Sequence, residues 1–421
     1  MKRWTRREFG AAAVAAGVEL VPRMARSQAK PRVVIVGGGV GGSTVSKYLA
    51  AGCKTLDVTL IEPKTRYATC FFSNLYLAGL RSFESLTHGY ETLAQRYGVN
   101  IIHESAATID PAAKIVWLES GDALPYDRLV VSPGIAFKFG VIDGYDEAAT
   151  QTMPHAWNAG PQTKLLRAQL EAMEDGGVFV IAAPPNPFRC PPGPYERACL
   201  VAYYFKQFKP RSKILILDAK NTFFEQDLFQ DAWNRHYPGL IEWLPAEFTG
   251  GVTGVDLKGR SVKTAGGAFK ASVANIIPPQ VAGRLAQQSG LADQSGWCPV
   301  DPVTFESALR PGIHVVGDAA SAGDMPKSAF CANSQAKTCA FAIIAALTGS
   351  QPFAPHLFNT CFTFLAADDA VSDAISFKLA DRTIKIGDIF MSKVGDSPET
   401  RRQAVRQAGG WCDAFTHDVF G

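Results

Sequence analysis

The amino-acid sequence predicts an α/β protein with two Rossmann-like domains of the dinucleotide-binding kind, followed by a C-terminal α+β domain. Three observations support this prediction. A complete unit of strand, glycine turn, helix and strand lies near the N-terminus, at residues 32–62. Apolar runs of strand length then alternate with helical patterns up to about residue 350, which is typical of α/β architecture. Beyond that point the alternation is lost, which indicates a separate C-terminal domain.

The first unit begins with a short, continuous apolar run at residues 32–36 (RVVIV), as expected for a parallel strand buried on both faces. Residues 37–42 (GGGVGG) follow directly and lead into a helical pattern over residues 43–51. A second buried strand, residues 58–61, ends at Glu62. This is the context that a dinucleotide-binding glycine motif requires.

Four residues of this unit are predicted to bind the dinucleotide. Gly37 makes the tight turn, Gly39 lets the backbone approach a pyrophosphate, and Gly42 allows the helix to pack closely on the strand. The helix N-terminus offers its unpaired N–H groups to the phosphates. Glu62, 20 residues past Gly42, is placed to accept hydrogen bonds from an adenosine ribose.

Two later motifs favour FAD over NAD. Residues 312–320 (GIHVVGDAA) resemble the second FAD motif of two-dinucleotide flavoproteins, in which the aspartate, here Asp318, binds the ribityl chain. Residues 126–134 (YDRLVVSPG) resemble the motif that connects the two halves of such proteins. With the glycine turn, three motifs occur in the expected order, so the predicted cofactor is FAD.

A second dinucleotide motif is missing where the fold class would place one. The apolar strand at residues 178–183 runs into residues 184–194 (PPNPFRCPPGP) instead of a glycine turn. Prolines lack the N–H groups that hold a pyrophosphate, and their rings block its close approach. The sequence therefore predicts that NAD(P)H is a poor electron partner.

Composition excludes several other classes. A chain of 421 residues with a net charge of +3 predicts two or three domains and gives no electrostatic reason to expect a nucleic-acid partner. No long uninterrupted apolar run follows the N-terminal region, so stable membrane insertion is not expected. The nine cysteines form neither C-x-x-C nor C-x-x-C-H, so the sequence predicts no metal site and no c-type haem on this chain.

The N-terminus has the pattern of an export signal. Basic residues that include Arg6 and Arg7 precede a short apolar run at residues 9–21, and small residues at 27–29 offer a cleavage site. Residues 5–9 (TRREF) resemble a twin-arginine signal, which directs folded proteins out of the cytoplasm. The expected location is the periplasm.

These observations give four predicted parts of the chain. They are the signal peptide (1–29), a discontinuous FAD-binding domain (30–143 with 280–350), a second Rossmann-like domain without an NAD(P) motif (144–279), and a C-terminal domain (351–421).

Five further motifs carry a specific resemblance. They are residues 69–74 (TCFFSN), 187–197 (PFRCPPGPYER), 296–301 (GWCPVD), 325–328 (MPKS) and 359–361 (NTC), and the C-terminal HDVFG also fits. Together they resemble the flavoprotein subunit of flavocytochrome c sulfide dehydrogenase, a relative of sulfide:quinone reductases with the fold of disulfide-reductase flavoproteins. The resemblance covers nearly the whole chain after the signal.

The resemblance implies specific roles. FAD would be attached covalently through Cys70, and Cys190 and Cys361 would form a redox-active disulfide beside it, although they lie 171 residues apart. The C-terminal domain would lie at the interface with flavin and partner. The partner would be a c-type cytochrome subunit in a heterodimer, which carries the haem that this chain lacks, and the substrate would be sulfide.

The residue types suit that chemistry. Hydrosulfide attack on a disulfide yields a persulfide and a thiolate, and a nearby cation such as Arg189 would stabilise the thiolate. Glu196 is the candidate proton acceptor. Lys327, at a predicted helix start, is a candidate to stabilise the negative charge of reduced flavin. Trp411 is a candidate to lie between the flavin region and the partner.

Two other interpretations stay open. One is a sulfide:quinone reductase, and the other is a non-catalytic flavoprotein partner of a thiosulfate- or sulfur-oxidising complex. The residues themselves allow structural roles for the cysteines, since free cysteine is among the most buried residue types. Cys331 and Cys339 are expected in the core, Cys298 favours a structural role, and no role is predicted for the remaining cysteines, Cys53, Cys199 and Cys412.

Overall fold

The secondary structure was obtained from a computed structural model, which describes residues 29–351 and 353–421. The predicted export signal lies outside the described residues, except for Ala29. Up to Phe137 the strands are β1 (Arg32–Val36), β2 (Asp57–Ile61), β3 (Arg66–Ala68), β4 (Thr87–Gly89), β5 (Asn100–Ile102), β6 (Ala106–Asp110), β7 (Ile115–Leu118), β8 (Ala123–Pro125), β9 (Arg128–Val131) and β10 (Ile135–Phe137). The helices of this part are α1 (Val40–Gly52), α2 (Ser73–Leu77) and α3 (Glu91–Tyr97).

The central part of the chain continues the alternation. Its strands are β11 (Val178–Ala183), β12 (Lys213–Asp218), β13 (Ile241–Leu244), β14 (Val252–Asp256), β15 (Ser261–Thr264), β16 (Gly267–Lys270) and β17 (Val273–Ile276). Its helices are α4 (Pro161–Ala172), α5 (Gly193–Phe208), α6 (Gln226–His236) and α7 (Ala246–Thr249).

The remaining elements complete the fold. They are β18 (Gln280–Ala282), α8 (Arg284–Gln288), β19 (Cys298–Pro299), β20 (Ile313–Val315), β21 (Ala320–Ser321), α9 (Ala329–Thr348), β22 (Leu357–Ala366), β23 (Asp369–Ala380), β24 (Thr383–Met391) and α10 (Pro398–Phe420). Short 3-10 turns occur at Glu84–Leu86, Ala149–Gln151 and Gly317–Ala319.

The first sheet is built from two distant parts of the chain. Its strand order is β20-β9-β1-β2-β5, and all neighbours are parallel. Four residues of β1, from Val33 to Val36, are buried, which explains its continuous apolar sequence. Because β20 joins the edge beside β9, the Asp318 turn that follows it lies at the same edge as the glycine turn after β1.

The second sheet has the strand order β13-β12-β11-β17 and is also parallel. All of its strands come from residues 178–276. The two parallel sheets with intervening helices confirm the predicted α/β class with Rossmann-like domains. Helix α5 follows the proline-rich turn of β11, as α1 follows the glycine turn of β1.

The C-terminal segment forms the antiparallel sheet β22-β23-β24, followed by the long helix α10. This confirms the predicted change to α+β structure. Strand β22 packs against both α5 and α9, and α10 packs against β23. This packing carries Cys361, in the middle of β22, toward the start of α5.

Helix α9 is the central helix of the first domain. It is long and apolar enough to cross a membrane by length and composition, but 61% of its most apolar stretch is buried. Its buried face contains polar side chains that bond within the protein, since Asn333 donates to Thr44 (3.0 Å) and Asp418 (2.9 Å). It packs along α1 as a core helix.

Candidate active site

Two positions of the glycine turn between β1 and α1 have no room for a side chain. Gly37 has φ +100°, and a Cβ there would lie 2.4 Å from the carbonyl oxygen of Ser132. A Cβ on Gly42 would lie 1.8 Å from the carbonyl oxygen of Gly37. The turn can therefore bring helix and strand together only with glycine at these positions.

The start of α1 faces an open cleft. Gly39 and Val40 line it, and no side chain caps the helix N-terminus among the residues that the structure describes. The first turn of α1 also contains no acidic residue. Its N–H groups and the positive end of the helix dipole are thus available to an anion such as a pyrophosphate.

Glu62 lies at one end of this cleft, directly after β2. Its Oε2 accepts a hydrogen bond from the Gly38 N–H at 2.7 Å, and its Oε1 accepts one from the Lys64 N–H at 3.0 Å. The carboxylate is therefore held beside the glycine turn and lines the cleft. This is the position from which it was expected to bind a ribose, and that contact stays a prediction.

Asp318 and Arg189 form an ion pair in the wall of the cleft. Arg189 Nε and Asp318 Oδ2 are 2.7 Å apart, and both side chains are largely buried. Arg189 also donates to Asn158 Oδ1 at 2.9 Å. Asp318 thus lies at the cleft as predicted, and its contact with a ribityl chain stays a prediction.

Cys70, Cys190 and Cys361 all line this cleft. Each of the nine cysteines lies in the described ranges and is a free thiol. Burial raises the pKa of Cys361 well above its usual value, with contributions from Asp373 and then from Cys190. The tertiary structure therefore brings together two thiols that lie 171 residues apart in sequence, at the positions where the resemblance implies a disulfide.

Cys190 lies at the start of α5 in a conformation that is uncommon for a residue with a side chain. Its φ is +58°, and its N–H donates to the carbonyl oxygen of Lys327 at 2.8 Å. Its own carbonyl accepts from Gly193 at 2.9 Å, and its Sγ would lie 3.0 Å from a Cβ on Gly193. A left-handed non-glycine residue held by such bonds is a feature that clusters at functional sites.

The electrostatic role expected of Arg189 differs in the structure. Burial raises the pKa of Cys190, and Glu196 adds to that rise more than Arg189 opposes it. For Cys70, burial again raises the pKa, but Arg189 is the foremost charged group and lowers it. The guanidinium therefore acts more on Cys70 than on its sequence neighbour, because its ion pair with Asp318 directs it into the cleft.

Glu196 lies in the first turn of α5 and completes a small cavity beside the cleft. The cavity has a volume of about 60 Å³, and Cys70, Cys190 and Cys361 line it as well. Glu196 Oε2 accepts from Asn74 Nδ2 at 2.7 Å, and its Oε1 accepts from the Phe364 N–H at 2.9 Å. Burial raises the pKa of Glu196. A carboxylate with a raised pKa beside two thiols is suited to accept a proton.

Trp411 lies in the wall of the site, whereas Lys327 is bonded to the turn that contains Asp318. Trp411, on α10, lines both cavities and stacks on Phe415 with 4.9 Å between ring centroids. Lys327 donates to the carbonyl oxygens of Asp318 (2.7 Å) and Ala320 (3.0 Å), and its ammonium lies 3.6 Å from the centroid of the Trp297 ring. Burial lowers the pKa of Lys327 to about 8. Its contact with a flavin stays a prediction.

Residues that the sequence analysis did not single out also shape the site. Asn74 holds Glu196 through its amide nitrogen and accepts from Arg197 Nε at 3.0 Å through its oxygen. Trp157 donates to the Arg189 carbonyl at 3.2 Å and lines the small cavity. Asn74 stands in one of the motifs that carry the resemblance. Because its partner Glu196 is 122 residues away, sequence spacing could not predict their hydrogen bond.

The turn after β11 is closed where the first turn is open. Asp218, at the end of β12, occupies the place that Glu62 has in the first sheet, and it is fully buried. Lys220 Nζ (2.6 Å), Trp243 Nε1 (2.9 Å) and the Tyr195 hydroxyl all donate to it. Lys220 Nζ also donates to the Pro184 carbonyl at 2.8 Å. The acid that could bind a ribose here is already bonded to protein.

The other cysteines lie in the core or outside the cleft. Cys331 and Cys339 are buried in α9, as expected, and Cys298 is also buried. Cys199 is buried in α5 and accepts from Trp233 Nε1 at 3.2 Å. Cys412 is buried in α10, whereas Cys53 is partly exposed after α1.

The residues of the cleft fit FAD. The open helix N-terminus suits its pyrophosphate, Glu62 suits a ribose, and the cleft extends from these groups past Arg189 and Asp318 to the three thiols. A dinucleotide that carries a flavin uses both ends of such a cleft.

Family models match three regions of the chain. Residues 163–278 match the central domain of the sulfide dehydrogenase [flavocytochrome c] flavoprotein chain, and residues 353–420 match the flavin-binding domain of flavocytochrome c sulphide dehydrogenase. Residues 31–166 match the pyridine nucleotide-disulphide oxidoreductase family.

Several curated proteins are similar to this chain. A sulfide dehydrogenase [flavocytochrome c] flavoprotein chain of Chlorobaculum thiosulfatiphilum is 56% identical over 43 residues, which are 10% of this chain and 90% of that one. The mitochondrial sulfide:quinone oxidoreductase of Mus musculus is 23% identical over 68% of this chain and 65% of its own length. The sulfide-quinone reductase of Aquifex aeolicus is 33% identical over 43% of this chain and 41% of its own length. The matches thus span less than two-thirds of either quinone-linked relative.

Among solved structures, the sulfide:quinone oxidoreductase of Aquifex aeolicus superposes with a TM-score of 0.72 at 20% identity, over 93% of this chain and 91% of that one. This likeness confirms the fold. The family-model matches and the Chlorobaculum relative lead to a further conclusion. The chain belongs to the flavoprotein subunits of flavocytochrome c sulfide dehydrogenase, within the sulfide:quinone reductase superfamily.

Proposed function

We propose that this protein is a sulfide dehydrogenase flavoprotein that oxidises hydrosulfide and passes the electrons singly to a c-type cytochrome. The observation that carries the proposal is the 60 Å³ cavity in which Cys190, Cys361 and Glu196 meet beside the flavin cleft. Its size suits a diatomic substrate. Family membership and the names of the matched relatives support sulfide as that substrate.

The proposed reaction starts from a disulfide between Cys190 and Cys361. Hydrosulfide attacks one sulfur, so that a new S–S bond forms a persulfide and the second cysteine leaves as a thiolate. Glu196 accepts the proton of the bound sulfur, since its carboxylate lines the same cavity. The start of α5 lies beside Cys190, and its helix dipole opposes the rise that burial causes in the pKa of this thiol.

FAD, when bound, supplies a two-electron acceptor that releases electrons one at a time. The residues proposed to hold it are Gly37, Gly39 and Gly42 at the pyrophosphate, Glu62 at the ribose, and Asp318 with Lys327 toward the flavin end. Cys70 is proposed as the site of a covalent thioether bond to the flavin. Its position in the cleft wall supports this role.

A cytochrome c subunit is proposed as the partner and acceptor in a heterodimer. The absence of C-x-x-C-H from the sequence supports a separate haem chain. A quinone acceptor is the second candidate, because the longer alignments are to sulfide:quinone oxidoreductases. Reduction of cytochrome c against reduction of a soluble quinone, measured with sulfide in excess and without detergent, distinguishes the two.

The proposed location is the periplasm, reached by the twin-arginine route. The pattern at residues 5–9 supports it. Replacement of Arg6 and Arg7 by lysine should retain the folded protein in the cytoplasm, as measured by cell fractionation.

The central test is anaerobic reduction of the bound flavin by sulfide. The loss of visible flavin absorbance measures this reduction. Cys190→Ser and Cys361→Ser should abolish this reduction because each removes one sulfur of the disulfide. Cys199→Ser, a buried cysteine of the same helix α5, is the matched control and should react like the unaltered protein. If the unaltered protein stays oxidised in excess sulfide, the chain is a non-catalytic partner and the proposal fails.

The covalent bond has its own test. After acid precipitation of the unaltered protein, yellow colour should stay with the polypeptide. After acid precipitation of the Cys70→Ser variant, the colour should pass into solution. Colour that is lost from the unaltered protein would contradict covalent attachment and leave the sulfide reaction unaffected.

A further inference from the structure

Arg197 is a buried cation that the proposed reaction does not use. It follows Glu196 in helix α5, is 2% exposed, and lines the small cavity that contains the thiols. Its Cζ lies 4.9 Å from the centroid of the Trp157 ring, so the guanidinium lies against that ring. A buried charge is costly unless an opposite charge and hydrogen bonds compensate it.

The guanidinium of Arg197 donates four hydrogen bonds, and each acceptor is a neutral oxygen. Its Nη1 donates to Asn275 Oδ1 (2.7 Å) and the His155 carbonyl (3.2 Å), and its Nη2 donates to the Ala156 carbonyl (2.8 Å). Its Nε donates to Asn74 Oδ1 at 3.0 Å. These bonds satisfy the N–H groups of Arg197 but supply no opposite charge.

The Asn74 amide links Arg197 to the carboxylate of Glu196. Because Arg197 Nε can only donate, Asn74 must turn its oxygen toward Arg197 and its N–H groups away from it. On that other side Asn74 Nδ2 donates to Glu196 Oε2 at 2.7 Å. Arg197 therefore fixes the orientation of an amide that bonds the proton acceptor of the proposed reaction.

Both carboxylate oxygens of Glu196 accept hydrogen bonds from N–H groups. Asn74 bonds Oε2, and the Phe364 N–H bonds Oε1 at 2.9 Å. Burial raises the pKa of Glu196, whereas these two bonds and the charge of Arg197 oppose that rise. Burial alone favours the protonated acid, which cannot accept the proton of hydrosulfide. The two donors and Arg197 thus favour the form of Glu196 that the reaction needs.

Other titratable groups surround this pair. Burial and then Arg197 lower the pKa of His155 to about 4, so this histidine is neutral. Arg189 and Arg197 both oppose the rise that burial and Glu196 cause in the pKa of Cys190. Burial raises the pKa of three further groups, and Glu196 adds to each rise: Cys199, Glu225 and Cys361. A measurement of Glu196 must therefore distinguish its carboxyl from these neighbours.

We propose that Arg197 is a positioning residue, which acts through Asn74 to hold Glu196 as an ionised proton acceptor in the cavity. The proposal rests on the proposed function. When hydrosulfide attacks the disulfide, its sulfur forms a new S–S bond, the bond between Cys190 and Cys361 breaks, and one cysteine leaves as a thiolate. Glu196 takes the proton and becomes neutral. The charge of Arg197 then offsets the negative charge of the persulfide and the thiolate.

The first experiment measures the ionisation of Glu196 directly in the holoprotein. Infrared difference spectra across pH follow the C=O band of the protonated carboxyl, which is assigned by its absence in Glu196→Gln. Asn74→Asp keeps the size of the side chain and an acceptor for Arg197, but replaces the donor to Glu196 by a negative charge. The midpoint of the Glu196 titration should rise by about one to two pH units, because a hydrogen bond to a charged group is lost.

The second experiment is stopped-flow reduction of the bound flavin by sulfide, from about pH 5 to about pH 9. In Asn74→Asp the rise in rate with pH should move to higher pH, because Glu196 ionises at higher pH. Ionisation of sulfide itself is the same for every variant, so a difference between variants belongs to the protein. A general loss of packing would lower the rate at every pH and leave the midpoint in place.

Variants of Arg197 separate its charge from its packing. Arg197→Gln removes the charge and should raise the midpoint of the Glu196 titration, whereas Arg197→Lys keeps the charge and should bring the midpoint back toward that of the unaltered protein. Arg211→Gln removes an exposed arginine of the same domain and is the matched control, which should titrate like the unaltered protein. If Arg197→Gln does not fold, Asn74→Asp still tests the link, because it retains the acceptor of Arg197.

The outcomes separate this proposal from the proposed function. If Asn74→Asp and Arg197→Gln both keep the midpoint of the unaltered protein, Arg197 does not hold Glu196 ionised, and the proposal is wrong even though the sulfide reaction stands. If sulfide does not reduce the unaltered protein, the proposed function has failed, and the infrared titration still decides whether Arg197 and Asn74 hold Glu196 ionised.

Discussion

The two parallel sheets of this protein contain the same kind of strand-turn-helix unit, but the turn is open in the first sheet and closed in the second. In each, a strand leads through a turn into a helix, and an acid lies at the end of the next strand. Glu62 comes directly after β2, and Asp218 is the last residue of β12. The first turn leaves its helix N-terminus uncapped and open, whereas Lys220, Trp243 and Tyr195 bond Asp218 in the second. Topology therefore provides a place for a dinucleotide, and the turn residues decide whether it is available.

The second sheet has gained another use. Its turn places Cys190 at the start of α5 in a left-handed conformation, and α5 contributes Glu196 to the same cavity. Helix α1 directs its N-terminus at a phosphate site, and α5 directs its own at a sulfur. The same helix dipole can therefore favour a bound anion in one domain and, in the other, oppose the rise that burial and Glu196 cause in the pKa of Cys190.

The largest effect is expected from Gly42→Ala in the first turn. The new Cβ would lie 1.8 Å from the Gly37 carbonyl oxygen, so helix α1 would have to shift and the phosphate site would be lost. Flavin content, measured by absorbance per polypeptide, should fall at least about tenfold, since overpacking alone costs about 1–3 kcal/mol. Pro185→Ala at the exposed second turn is the control and should keep full flavin content. Equal losses in both variants would contradict the contrast between the turns.

Asp218→Asn should act on stability and leave flavin content unchanged. It removes the charge of the fully buried Asp218, which pairs with the partly buried Lys220, and breaking such a pair costs about 3–5 kcal/mol in the free energy of unfolding. Urea unfolding monitors the change. Asp175→Asn, which breaks an ion pair with the exposed Arg211 in the same domain, should leave the free energy of unfolding nearly unchanged. Loss of flavin in Asp218→Asn would mean that this acid serves the cofactor after all.

Glu62→Gln should have a smaller effect, and on the ligand. A hydrogen bond to a charged group contributes about 1.5–3 kcal/mol, so FAD affinity should fall by about tenfold or somewhat more. Titration of flavin-free protein in the Cys70→Ser background gives the affinity without a covalent bond. Unchanged affinity would remove Glu62 from the set of FAD ligands.

NADH and NADPH are expected to have no effect on the flavin, which is the smallest effect among these predictions. Because Asp218 is bonded to protein and prolines fill the second turn, neither nucleotide should reduce the flavin anaerobically at a concentration at which sulfide does so. Stoichiometric bleaching by NADH would show that the second site opens.

Local sequence predicted a large part of this molecule because its signals are local. The apolar runs and glycine spacing of residues 32–62 predicted a βαβ unit, and the structure contains β1, α1 and β2 there. The loss of alternation after residue 350 predicted a change to α+β structure, which the structure contains as an antiparallel sheet and a long helix. The family resemblance also singled out Cys70, Cys190 and Cys361, and the chemistry singled out Glu196; all four line one cavity.

Other features could not be predicted because they arise from contacts between distant segments. Adjacency in sequence predicts that Arg189 acts on Cys190, yet Arg189 pairs with Asp318, 129 residues away, and is the foremost charged group that acts on the pKa of Cys70. The contact between Lys327 and a flavin stays a prediction, and only the structure shows that its ammonium lies over the Trp297 ring.

The sequence by itself determined the dinucleotide turn and its closed counterpart, because glycine and proline set backbone geometry and N–H supply within a few residues. It also determined which residue types were available for sulfur chemistry. Only the tertiary structure decided which of them meet. Strand β22 packs on α5, and this contact brings Cys361 into one cavity with Cys190 and Glu196. That contact depends on the burial of whole apolar faces, which no short motif encodes.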